Sequence, residues 1–517
     1  MTHRPTATPA GRADDGRGRR QRAAIVAAVL FVSYAYFHSG GGWNQNSRFD
    51  LVRAIVEQGT VRIDAYHENT GDKSRHDGHV FSDKAPGASF TAVPAVGVVH
   101  WIARAAGANL EDPAMLTGLA YTATLAAGTV PGVCLGLSLF VLARRTGASD
   151  GVAAQTALIA GLGTPLWAYA TLLWGHLLAA SCLAAAMLAV DRLQRPPDPR
   201  RDLLRGAAAG AGAGWAVVTE FPAAVPAVLI AAVAVAMAWT TGRARATRVA
   251  AGIAMGAAPC VLILGAYQWA AFGSPLHVGY ASLEDPTLLD AGFFGITVPR
   301  ADVLAELLWG SYRGLLPLAP ALLAAPFGLW MLWRRRDMRP VAMVAGGSAL
   351  YYLLLNAAYE HWEGGWSYGP RHLAPAIGLA AIGLAPVLTH AKPFLRSLVL
   401  LAGVWGAAHS LVAVSTTTQP PSQQYRAPMR QLLWPAFSAG ELSLNTQSFL
   451  DALPRREPGA RAAFNLGETM GLTGHASLLP LALLYVVAWR AWRAAAPAVS
   501  SSPPDTSRRR PRPAPTR

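Results

Sequence analysis

Long apolar runs recur along this chain from Ala23 to Trp492, and they constrain its fold more than any other feature. A lipid hydrocarbon core takes about 20 apolar residues of helix. Inside it, every backbone N–H and C=O must be satisfied within a helix or a closed barrel. Barrel strands alternate apolar and polar residues, and these runs do not. Only 14% of the 517 residues are charged, against about 25% in a soluble domain. The reading is an all-α polytopic membrane protein. Spans are expected near 22–38, 88–106, 114–143, 152–170, 173–191, 206–221, 222–240, 248–272, 312–333, 341–358, 371–389, 395–415 and 472–493, about 11–13 transmembrane helices in all.

The formal charge of +15 is concentrated in the tails and in short loops such as 242–248 and 333–340. That pattern fits the positive-inside rule rather than nucleic-acid binding. It places the N-terminal tail, 192–205, 241–248, 334–340, 390–396 and the C-terminal tail in the cytoplasm. The loops 39–87, 273–311 and 416–471 then lie outside, with a short fourth at 359–370. Arg144-Arg145 breaks this count: read forward the pair falls outside, read backward from 192–205 it falls inside. Residues 1–21 and 494–517 read as disordered basic tails around a transmembrane domain of 22–493, and the long basic start argues against a signal peptide. The three cysteines, Cys134, Cys182 and Cys260, sit in apolar segments without metal-like spacing and read as core residues.

The first outer loop is rich in chemistry. WNQNSRFD (43–50) opens it and FSDKAPG (81–87) closes it. Between them, FDLVRAIVEQG (49–59) reads as an amphipathic helix along the membrane surface. Arg48, Asp50, Asp64, Asp72, Asp83 and Lys84 lie in this loop, and Glu220, Glu360, Arg371 and His372 sit at later outer ends. Charge beside an apolar span is costly unless it is paired or used. Mixed cations and carboxylates suit transfer from a phosphate-linked donor, since a base activates an acceptor hydroxyl while fixed positive charge stabilises the departing phosphate.

Each residue also has a plainer reading. Arg48 and Asp50 are an interfacial ion pair, Lys84 snorkels at a helix end, and Arg371 anchors a span in headgroups. His176 is a satisfied interfacial histidine, and Glu220 caps the half-helix that follows it. Trp362, Trp366 and Tyr368 belong to an aromatic belt rather than to a sugar-stacking surface. No HExxH or DxD spacing indicates a metal, and no cofactor is expected.

A basic tail, one span, and a long outer loop carrying N-x-x-S-R, G-T-x-x-I-D and F-S-D-K-A-P-G resemble the GT-C superfamily of membrane glycosyltransferases. The likeness is to its protein-mannosyltransferase-like and lipid A aminoarabinose-transferase-like groups. TLLWGH (171–176), VVTEFP (217–222), GGWSYGPRHLAP (364–375) and FNLGETMGL (464–472) are similar to segments of bacterial members. The resemblance implies a hexosyl- or pentosyltransferase of the bacterial inner membrane. It would move a sugar, with inversion, from a polyprenyl-phosphate donor to a lipid, glycan or protein acceptor at the outer face. It also implies donor-phosphate binding by Lys84, Arg371 and Arg48. Similar enzymes often carry an acid two or three residues before the arginine matching Arg48. Here those positions hold Gln45 and Asn46, and an amide cannot accept a proton at neutral pH. The base then falls to Asp50 or Asp64, equally placed, with Asp83 behind them as an orienter of Lys84. Supporting roles go to Gln45, Asn46, Glu220, His176, Glu360, Trp366 and Tyr368. Two other functions fit the same features: a transporter or flippase of a lipid-linked or small polar substrate, and a non-catalytic relative that binds lipid-linked sugar.

Overall fold

A computed structural model describes residues 9–289, 291–450 and 462–495. The chain is helical nearly throughout, with two short antiparallel strand pairs. Among the described residues, eight helices are long and apolar enough to cross a membrane by length and composition, which makes it a multi-pass membrane protein. The first helix, α1, spans Pro9–Ala35, so residues 9–21 continue a helix where a disordered tail was expected. Arg19 and Arg22 tie it to Asp150, at 3.8 and 3.5 Å, and Arg22 lies over the Trp492 ring. Residues 1–8 and 496–517 of the expected tails lie outside the described residues.

Ion pairs mark one end of the bundle. Arg144 pairs with Asp150 and Arg145 with Asp191, each at 2.8 Å, and Arg335 donates to the Thr146 carbonyl. Arg144-Arg145 therefore shares an end with the other basic loops. The reason lies in the preceding hairpin. Helix α3 (Gly87–Ala105) leaves the opposite end and packs against α4 (Pro113–Thr124). Helix α4 runs back toward that end and passes without a break through a π-turn, Leu125–Thr129, where Thr129 Oγ1 donates to the Ala170 carbonyl at 3.0 Å. Helix α5 (Val130–Arg145) then runs to the basic end. The span expected at 88–106 is thus half of a hairpin that starts and finishes on one side.

From there α6 (Asp150–Leu162), α7 (Leu166–Ala170), α8 (Gly175–Asp191), α9 (Pro199–Thr219), α10 (Ala224–Trp239) and α11 (Arg243–Phe272) build the middle of the bundle. Its core holds Tyr34, Trp167, Tyr169, Leu183 and Leu379, all buried. The polar tips of these aromatics reach partners, as buried ones usually do: Trp167 Nε1 donates to Ser33 O at 3.0 Å and Tyr169 OH to Tyr368 O at 2.8 Å.

The surface helix expected at 49–59 differs in position and in setting. Helix α2 spans Trp43–Arg53 and continues as a π-turn to Gln58. Every residue from Asn44 to Val52 is buried. Phe49 and Val52 pack on Ala88, Ala92 and Val96 of α3, while Leu51 packs on Ile63, Phe81 and Phe272. Apolar contacts on two sides draw this helix into the protein rather than onto the lipid. The loops interlock around it. Strand β1 (Phe37–His38) pairs with β4 (Phe464–Asn465), and β2 (Lys73–His76) with β3 (His79–Ser82).

Candidate active site

The amides of 43–50 hold the loops together. Gln45 Nε2 donates to Gly41 O at 3.2 Å and to Gln419 Oε1 at 2.8 Å. Asn46 Nδ2 donates to Asn69 O and Ser448 O at 2.8 and 3.0 Å, and its Oδ1 accepts from Gly42 N. Both side chains are spent on joining the first loop to 416–450, and a buried amide left unpaired would cost about 1–3 kcal/mol.

Arg48 is buried on the next turn of α2. Its Nη1 donates to Asn44 Oδ1 and its Nη2 to Glu220 Oε1 at 3.2 Å. Glu220 ends α9 in an extended conformation, before a short 3-10 turn, Phe221–Ala223. Its carboxylate makes no capping hydrogen bond there; Oε1 instead faces Arg48 and, at 3.4 Å, His176 Nδ1. Two glycines permit this approach. A Cβ on Gly175 would lie 2.3 Å from Glu220 Oε1, and one on Gly87 would lie 2.7 Å from the Thr219 backbone. The starts of α3 and α8 can therefore close on the end of α9.

Gly87 also brings Lys84 inward. Lys84 Nζ sits 2.9 Å from Asp72 Oδ2 and 2.8 Å from Asp83 Oδ2, with the Tyr280 ring at 6.0 Å. Burial raises the Asp83 pKa to about 6, opposed by Lys84 and reinforced by the Asp72 charge. Burial also works to raise Asp72, but Lys84, then Arg371 and Arg48, overcome it and leave Asp72 below the usual carboxylate range. Burial works to lower Lys84, and the two carboxylates outweigh it and raise it. Asp72 is the most open of the acids here, its side chain 21% exposed against 4% for Asp83 and 14% for Glu220.

Arg371 opens a 3-10 turn, Arg371–Leu373, and lies over the Trp174 ring at 5.0 Å. Its Nε is buried without a hydrogen-bond partner, as are Nε2 of His176, Nε2 of His372 and Oδ1 of Asp83. The rings of His176 and His372 meet edge to face at 5.5 Å, and Tyr359 meets His372 at 5.4 Å. Three cations, three carboxylates and two imidazoles thus gather at one end of the bundle with six orphaned polar atoms, since Arg48 Nε and Trp174 Nε1 are also buried without partners. Buried polar groups are rarely left unpaired, so the arrangement fits a site that completes itself with a ligand carrying both acceptors and donors.

The expected residues divide. The structure joins Arg48, Lys84, Asp83, Glu220, His176 and Arg371, and sets both expected bases apart from them. Asp50 is fully enclosed on another face of α2, where Oδ1 accepts from Asn69 Nδ2 at 3.1 Å. Burial raises its pKa well above the carboxylate range, with Asn69 opposing. Asp64 fastens the β2–β3 hairpin: Oδ1 accepts from Val80 N at 2.7 Å, and Oδ2 lies 2.8 Å from His79 Nδ1. Glu360 makes no ion pair among the described residues, and its backbone N–H donates to Gly295 O. Tyr368 is a buried core residue, and Trp366 Nε1 donates to Gln423; the rings against the cluster are Trp174, Tyr280 and Tyr359. Asp72 belongs to the site and carried no distinguishing sequence signal beyond its place in the first loop. Among the described residues, no group of three or more histidines, cysteines or acids is placed to hold a metal.

No family model matches the sequence, and no curated protein matches it. Solved structures do. ArnT from Cupriavidus metallidurans bound to undecaprenyl phosphate aligns over 92% of this chain and 75% of its own, at TM-score 0.50 and 17% identity. Its apo state aligns over 92% and 74%, at TM-score 0.51 and 18% identity. ArnT is a lipid A aminoarabinose transferase of the GT-C superfamily, and this chain has the GT-C fold.

Proposed function

We propose that the protein is a membrane glycosyltransferase that moves a sugar from a polyprenyl-phosphate donor to an acceptor at the outer membrane face. The observation that carries this reading is the convergence of Lys84, Arg48 and Arg371 on one cluster, with the Arg371 Nε unpartnered. The GT-C fold supports it, because a structure with that fold was solved with undecaprenyl phosphate bound. The basic loops at the far end of the bundle support an outward-facing cluster under the positive-inside rule.

In this reading Lys84 and Arg371 hold the donor phosphate. Their charge stabilises the phosphate as the sugar–oxygen bond breaks, and such preorganised contacts are worth most where water is excluded. Glu220 fixes Arg48 and His176 in place. A donor phosphate draws Lys84 away from its carboxylates, and Asp72, the most open of them, takes the acceptor proton. A single displacement inverts the sugar carbon. The test is to incubate purified protein with a labelled polyprenyl-phosphate sugar and membrane extract as acceptor source. Release of polyprenyl phosphate together with labelled acceptor supports the enzyme. Label that crosses a liposome unchanged, or binds without turnover, refutes it.

A further inference from the structure

A second cavity lies on the other side of the 363–369 loop. It encloses about 410 Å³ and is lined by Ser311, Tyr312, Arg313, Ser367, His409 and Arg430, among others. Its charge is one-sided. Arg313 lies over the Tyr312 ring at 4.0 Å and Arg426 lies over the same ring at 5.4 Å, while Arg430 stands exposed at the rim. Among the described residues, none of the three has a carboxylate within ion-pair distance. The neighbouring acid Glu306 instead accepts the Tyr312 backbone N–H at 3.2 Å.

Arg313 is the telling member, because it is completely buried. Its guanidinium donates to the carbonyls of Glu363, Gly365 and Tyr312, at 2.8, 2.6 and 3.4 Å. Carbonyls satisfy its hydrogen bonds but carry no formal charge, and the Glu363 carboxylate, beyond ion-pair distance, offsets only part of the cost of burying it. Other buried cations have carboxylate partners: Arg48 with Glu220, Lys84 with Asp72 and Asp83, Arg245 with Asp202. Arg313 and Arg430 line the wall and Arg426 stands beside it over Tyr312, so positive potential gathers there.

The cavity is also tied mechanically to the first site. Arg313 grips the loop through Glu363 and Gly365, and Arg371 packs against Gly364, where a Cβ would lie 3.0 Å from Arg371 Cγ. Ligands in the cavity and at Arg371 would therefore press on two sides of one loop.

We propose that this cavity is the acceptor site and that it recognises an anionic group, a phosphate or carboxylate, on the acceptor. Its role as acceptor site rests on the glycosyltransferase reading; the anion site itself does not. The test measures inorganic phosphate binding by calorimetry on Lys84→Ala protein in zwitterionic nanodiscs, which weakens the donor site in the signal. Saturable binding is expected, weakened about tenfold or more when the exposed Arg426 and Arg430 are also replaced by alanine. Repeating the titration in phosphatidylglycerol discs separates the sources of the anion: weaker phosphate binding means that a lipid headgroup competes for the site, and unchanged binding means a soluble acceptor. No saturable binding in the Lys84→Ala protein, or binding indifferent to the two arginines, overturns the proposal. Failure of wild-type protein to bind polyprenyl phosphate would sink the donor reading instead, and leaves the phosphate result to stand or fall alone.

Discussion

Lys84→Ala tests the reading at its most loaded residue. Its ammonium sits 2.9 and 2.8 Å from two carboxylates, with only 13% of the side chain exposed. At an effective dielectric of about 20, a charge pair at that distance is worth about 6 kcal/mol before desolvation. A donor phosphate at Lys84 would gain a comparable gross attraction. Removing one partner of such a contact costs about 2–4 kcal/mol net, about 30- to 1,000-fold in affinity. Polyprenyl phosphate binding, read by native mass spectrometry, should weaken by that factor, and transfer should fall with it. The variant also leaves Asp72 and Asp83 facing each other without their cation, so its melting temperature should drop. Adding Asp83→Asn removes that repulsion and should restore melting but not transfer. Lys84→Ala protein that binds donor at wild-type affinity would refute the reasoning, and so would recovery of transfer in the double variant.

The carboxylates should separate by role. Asp72→Asn should slow transfer by about 10²- to 10⁴-fold, the usual worth of a general base, whereas Asp50→Asn should leave the rate near wild type because Asp50 is enclosed against Asn69, away from the cluster; steady-state rates of both variants decide this. Burial pushes the Asp83 pKa up to about 6. The folded protein therefore holds this proton more tightly than the unfolded chain. Its contribution to stability is complete below the unfolded pKa and is lost as pH rises through about 6. Transfer should rise over the same interval if ionised Asp83 holds Lys84, and Asp83→Asn should flatten both profiles in thermal melts and pH–rate curves. Gly175→Ala would put a methyl 2.3 Å from Glu220 Oε1, and should cost about 1–3 kcal/mol of stability along with much of the activity, measured by denaturation in detergent.

The membrane class was readable because hydropathy is a local property: a run of apolar residues declares itself without its neighbours. The α3–α4 hairpin was not, because 88–106 has the length of a span and only its packing shows where it turns back. Arg144-Arg145 did register that conflict in the charge pattern. Of the residues that cluster, Lys84 and Arg371 were singled out through motif likeness, and Glu220 and His176 through the cost of charge beside apolar helix. The carboxylates of the first loop could not be told apart, for a physical reason. Asp50, Asp64 and Asp72 lie in one loop with similar sequence surroundings, and their difference arises from folding: one is sealed against Asn69, one ties a hairpin, and one reaches Lys84. The amides Gln45 and Asn46 stood out as replacements for an acid, and their work proves to be the joining of loops far apart in sequence. Arg313 gave no signal at all, since its meaning depends on which carboxylates are not near it.

The central claim is that the Lys84–Arg371 cluster receives the donor phosphate, and an experimental structure with undecaprenyl phosphate bound tests it most directly. The account predicts the phosphate within hydrogen-bonding distance of Lys84 Nζ and of the Arg371 guanidinium, with Asp72 released from Lys84. A phosphate bound elsewhere, with the Lys84–Asp72–Asp83 contacts intact, would contradict it.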